Sequence, residues 1–202
     1  MWFDLLEKIT HLGDTMVLLL CGVALFFYLW SAEERRFLAR RWAVAFGLCI
    51  LLTILSKFTL HFVRWNEVSA LRMLSPSGHV AIGTCFYGCC VIMLSGGRSR
   101  VVRLLLWSCT VTLLGMIAAS RLILGLHSVP EVLVAFVIGA ASVVVFTRHL
   151  SDRQSIKLNA GQIIFLILLI FVARYLPPIN AEGLIEHTVR KLDNWPVLSR
   201  GG

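Results

Sequence analysis

No Cys-x-x-Cys spacing occurs in this 202-residue sequence, and no acidic cluster or His/Cys ligand set lies near its polar motifs. The first absence argues against a zinc site, the second against any bound metal. The six cysteines, Cys21, Cys49, Cys85, Cys89, Cys90 and Cys109, all fall inside hydrophobic runs and read as small buried apolar side chains. No low-complexity segment and no clear repeat divides the chain. A cleavable signal is missing too: Met1-Trp2-Phe3-Asp4 has no basic n-region, and no small-residue cleavage site follows the first apolar run. β-strands are not expected, because an open sheet cannot satisfy its backbone in lipid.

What the chain has in quantity is apolar surface: 58% of residues are hydrophobic and the mean hydropathy is +0.83. A soluble domain of this length does not need so much. A membrane span takes about 20 mainly apolar residues, and runs of roughly that length fall at about 15–31, 42–60, 79–95, 101–119, 129–147 and 160–177. Short connections join them. The expectation is therefore one all-α domain over 1–202, a polytopic bundle of six transmembrane helices. Residues 2–12 mix Trp2, Phe3, Leu5, Leu6, Ile9 and Leu12 with Asp4, Glu7 and Lys8. They suit either an interfacial helix over about 1–13 or an extended first span. Residues 178–202 form a tail.

Charge predicts the orientation. Arg35, Arg36, Arg40 and Arg41 follow the first run, Arg98, Arg100 and Arg103 the third, and Arg148, Arg153 and Lys157 the fifth. By the positive-inside rule these connections face the cytoplasm, so both termini and the other connections face outward. The net charge of +8 resides largely in these loops and suggests anionic lipid as neighbour, with no arrangement pointing to nucleic acid.

Three polar stretches end hydrophobic runs on the outward side: Lys57-x6-Arg64, Ser75-Pro76-Ser77-Gly78-His79, and Ser120-Arg121-x5-His127-x3-Glu131. In the second, Pro76 at a first helical position with Ser75 before it predicts a helix start. Such an N-terminus presents unpaired N–H groups and a positive dipole end to an anion. Gly78 clears the approach, and His79 in the first turn can donate a proton. In the third, His127 and Glu131 are four apart, so a helical turn would let the carboxylate hold the imidazole. The rival is Ser128-x-x-Glu131 as a capping box for the fifth helix, with Pro130 in its first turn. Arg121, Lys57 and Arg64 are either snorkelling cations or phosphate ligands. A charge at Lys57, among Leu55 and Phe58, is costly without a partner. His61, His11, His149 and His187 are left unassigned.

These stretches resemble the signature of the type 2 phosphatidic acid phosphatase (PAP2) superfamily: K-x6-R-P, then P-S-G-H, then S-R-x5-H-x3-D. The chain departs at Trp65, where that family has Pro, and at Glu131, where it has Asp. The resemblance implies a membrane lipid phosphatase that uses neither metal nor cofactor. It implies that His127 attacks phosphorus to form a phosphohistidine, that Glu131 orients it and that His79 protonates the leaving oxygen. Lys57, Arg64, Ser77, Gly78 and Arg121 would bind the phosphoryl oxygens. The implied partners are the bilayer and a lipid phosphate or diphosphate, undecaprenyl diphosphate first by family analogy. The implied place is the outer face of a bacterial inner membrane. Three other readings stand beside it: a lipid phosphotransferase, a non-catalytic lipid-phosphate binder or transporter, and a bundle with His79 and His127 as haem ligands.

Overall fold

The computed structural model describes residues 10–63 and 75–148. They form α1 (Thr15–Trp30), a 3-10 turn (Glu33–Arg35), α2 (Arg36–Val63), α3 (Gly78–Ser95), α4 (Arg100–Ile123) and α5 (Val129–Thr147), with no strand among them. Five helical stretches, Thr10–Trp30, Glu33–Thr59, Gly78–Ser95, Arg100–Ile123 and Val129–Thr147, are long and apolar enough to cross a membrane. The sixth expected span, 160–177, the tail 178–202 and residues 1–9 of the expected interfacial helix lie outside the described residues. Residues 10–12 form a helical turn.

Two helices outrun their expected limits. α2 begins at Arg36 rather than near 42, and α4 continues to Ile123 rather than ending near 119. Arg36, Arg40, Arg41 and Arg121 interrupt the hydrophobic pattern but are good helix formers, so the helix passes through them. The remaining starts follow local chemistry. Asp14 caps α1, its carboxylate accepting from the amides of Met16 (2.9 Å) and Val17 (3.1 Å). Ser99 caps α4 through the Val102 amide.

α3 is the central helix. It packs most extensively on α5 and also on α4, α2 and α1, and it is buried on nearly every side, from Gly78 through Val80, Ala81, Ile82, Cys85, Phe86 and Cys89 to Met93. A helix apolar all round belongs in such a position. Glycines set the closest approaches. A Cβ on Gly139 of α5 would stand 2.6 Å from the Ala81 carbonyl oxygen of α3, so only glycine lets these backbones meet. Next to α3, Trp42 stacks on Phe46 (centroids 4.7 Å apart) and meets Phe86 edge-on, while its indole N–H donates to the Gly22 carbonyl at 2.9 Å. That bond satisfies the one polar atom of a fully buried ring.

The perimeter is apolar as well. Phe27, Val111, Ile123, Val137 and much of α4 face outward. A surface of this kind is a liability in water and is ordinary against lipid tails.

Because the helices alternate in direction, residues 10–14, the end of α2, the start of α3, the end of α4 and the start of α5 gather at one end of the bundle. Cross-links tie them. The Tyr87 hydroxyl donates to the Leu12 carbonyl (2.7 Å), the Thr10 and Ser120 hydroxyls share a hydrogen bond (2.6 Å), and Thr15 Oγ1 stands 3.3 Å from where a Gly78 Cβ would be. The Arg-rich connections sit at the opposite end. There Arg35 lies over the Tyr28 ring, Arg36 and Arg40 lie near Trp30, and Arg41 reaches the Phe146 carbonyl.

Candidate functional site

The site begins with how α4 stops. Gly125 takes φ +66°, a left-handed conformation that glycine adopts without strain. The Leu126 amide returns to the Arg121 carbonyl (3.1 Å) and the Gly125 amide to the Leu122 carbonyl (3.0 Å), which is a Schellman motif. The His127 amide also donates to the Arg121 carbonyl, at 3.3 Å. The turn therefore folds His127 back onto the last turn of α4. Arg121 belongs to that last turn, not to the connection after it, and is 5% exposed.

Directly after His127, Ser128 caps α5 in extended conformation (φ −86°, ψ 161°), with Pro130 in the first turn and Glu131 at the third position. Glu131 turns back toward the cap. Its Oε2 accepts from the Ser128 amide at 2.9 Å and lies 3.1 Å from His127 Nδ1. The two expected roles of Glu131, cap and imidazole partner, thus coexist on one oxygen. The condition attached to the imidazole contact does not hold. His127 lies outside any helix, and the contact forms because a third-position glutamate reaches backward, not because the residues sit one helical turn apart. Ser128 and Glu131 form the capping box that the sequence predicts, the glutamate closing it through the Ser128 amide.

The other carboxylate oxygen does what the sequence did not foretell: Oε1 accepts from the backbone N–H of Ser75, 56 positions away, at 2.8 Å. Ser75 through Ser77 are then non-helical, and α3 starts at Gly78 with Ser77 as its N-cap (φ −67°, ψ 110°). This corrects the expected helix start at Pro76. Pro76 disfavours helix at the residue before it, and Ser75's amide is already committed to Glu131. His79 falls in the first turn as expected, while Gly78 opens it. Ser77 is fully buried, its hydroxyl making no hydrogen bond among the described residues and its side chain leaving the cap unfilled.

A buried imidazole–carboxylate pair results, the two side chains 6% and 4% exposed, tied directly to the segment that opens α3. A carboxylate only accepts, so in the neutral imidazole the Nδ1 proton points at Glu131 and the lone pair lies on Nε2, as a nucleophile or a general base requires. Lys57 lies near the same end on α2, half-buried. Arg64 lies outside the described residues. The structure therefore brings His127, Glu131 and the Ser75–His79 segment together and sets Arg121 one turn from His127. No three His, Cys, Asp or Glu side chains among the described residues group as a metal site would require.

Fold and site together define, over the described residues, a bundle of membrane-length helices with a polar, histidine-centred cluster at one end. Residues 57–155 match the model of the PAP2 superfamily. The match begins at Lys57 and takes in all three polar stretches. The superfamily points to a phosphatase acting on phosphate esters. A curated relative is 28% identical over 166 residues, 80% of this chain and 78% of its own length: an "uncharacterized 22.5 kDa protein in cps region" of Klebsiella pneumoniae. No solved structure matches significantly.

Proposed function

We propose that this protein is an integral-membrane phosphatase that hydrolyses a lipid phosphate or diphosphate through a phosphohistidine at His127. The observation that carries the reading is the buried His127–Glu131 pair, 3.1 Å apart and bonded through the same carboxylate to the segment that opens α3. In this reading Nε2 of His127 attacks phosphorus, the bond to the leaving oxygen breaks, and His79 gives that oxygen a proton. Water then attacks the phosphohistidine, His79 takes its proton, and phosphate leaves. The amides at the start of α3, at Ser77 and Gly78, would hold phosphoryl oxygens together with Lys57, Arg64 and Arg121. Fixed cations take the part that Mg²⁺ plays in other phosphoryl-transfer sites.

The test is phosphate release by the purified protein from a panel of lipid monophosphates and diphosphates, with undecaprenyl diphosphate first. Release is expected to survive EDTA and to be inhibited by vanadate, which imitates pentacoordinate phosphorus. Loss of activity in EDTA with recovery in Mg²⁺ would overturn the metal-independent mechanism. A phosphorylated acceptor in place of free phosphate would make the protein a transferase, and binding without turnover would make it a carrier.

A further inference from the structure

Glu131 is bonded beyond what orienting an imidazole requires. One oxygen serves His127 and the α5 cap, and the other accepts from the Ser75 amide. Ser75 is separated from the Ser77 cap by Pro76, whose ring fixes its φ. A constraint on the Ser75 amide is therefore passed along a stiff segment to Ser77 and Gly78. Because the carboxylate is buried, nothing from solvent can replace an amide it loses. The signature residue here is a glutamate, one methylene longer than the aspartate of the resembled pattern.

We propose that Glu131 is a positioning residue for the phosphate-binding segment as well as for His127, its bond to the Ser75 N–H setting the distance between the nucleophile and the N-terminus of α3. The proposal rests on the function argued above. Attack on phosphorus is steeply sensitive to placement, and an error of about 1 Å can cost about 10²-fold in rate. The longer side chain is what allows one carboxylate to reach both the turn at 127–128 and the main chain at Ser75.

The test deletes a single backbone donor. Ser75→Pro removes the N–H at a position that a following proline already biases toward extended backbone, and Ser75→Ala keeps it. In the parent background kcat of Ser75→Pro is expected at least about tenfold below that of Ser75→Ala, with KM within about threefold, as for a group that positions rather than binds. In the Glu131→Asp background, where the carboxylate is one methylene short of Ser75, the two are expected to have equal kcat. Should Ser75→Pro fail to fold, the α-hydroxy acid of serine at position 75 replaces the amide by an ester and removes the same donor. Equal kcat for the two variants in the parent background, or a tenfold gap that persists with Glu131→Asp, would overturn the proposal. If the unmutated protein releases no phosphate from any lipid, the functional reading fails instead. The melting temperatures of the same variants then decide the clamp. Ser75→Pro melting below Ser75→Ala in the parent but not in Glu131→Asp supports it, and equal melting in both overturns it.

Discussion

At the scale of single residues, one carboxylate carries most of the site's organisation. Glu131 accepts from two backbone amides and faces Nδ1 of His127. A capping box on its own would tolerate glutamine. This site would not, because a carboxamide has one accepting oxygen and would turn its NH₂ toward a donor. Glu131→Gln is expected to lower kcat about 10²-fold, in the range that general acid–base groups contribute. It is also expected to destabilise the protein by about 1–3 kcal/mol, the cost of a buried polar group left unpaired. Phosphate release and the melting temperature in detergent read the two effects separately, and a fully active variant would remove the orienting role. His127→Ala should abolish turnover while substrate still binds. Rapid quench with labelled substrate should trap an acid-labile phosphoprotein in the parent and none in the variant. Near-normal rates for His127→Ala would end the phosphohistidine mechanism.

Between elements, the contact that matters most is α3 against α5, because α3 opens with Ser77–His79 and α5 opens with Ser128–Glu131. Gly139 sets how closely they approach. Gly139→Ala would place a methyl 2.6 Å from the Ala81 carbonyl oxygen and 2.6 Å from Thr84 Cβ. The first obstacle is backbone, which cannot swing aside, so overpacking of about 1–3 kcal/mol outweighs the helix-propensity gain of about 1 kcal/mol. Gly115 in α4 supplies the contrast, since an added Cβ there meets nothing within 4 Å. Thermal melts in detergent should show Gly139→Ala lowered and Gly115→Ala unchanged or raised. Equal shifts would mean that α3 and α5 are not in backbone contact.

For the whole molecule, the distribution of charge and the position of the site are linked by topology. Helices of alternating direction put Arg35, Arg36, Arg40, Arg41, Arg98, Arg100 and Arg148 at one end and the His127 turn at the other. If the arginine end faces the cytoplasm, the site faces outward. Leu126→Cys, in the exposed turn beside His127, should then react with a membrane-impermeant maleimide on intact spheroplasts. Arg98→Cys, at the opposite end, should react only after lysis. The reverse pattern would place the active site inside. A native cysteine is exposed only at Cys109, on the apolar surface of α4 where lipid would shield it, so background labelling should be low.

The sequence alone determined the helical class and the positions of five helices, because these depend on apolar run length, charge placement and local turn chemistry. The pairing of His127 with Glu131 was legible for the same reason: four residues and a proline leave few conformations. The start of α3 was misjudged, and the bond between Glu131 and Ser75 could not be seen at all. Pro76 beside Ser75 looks like a helix start when read locally. A carboxylate from a helix 56 residues away takes the amide that would otherwise lie at that start and holds the segment extended to Ser77. A backbone N–H carries no side-chain signature, so nothing in the letters at position 75 announces its partner. That partner was chosen by the close packing of α3 on α5, which only the folded chain contains.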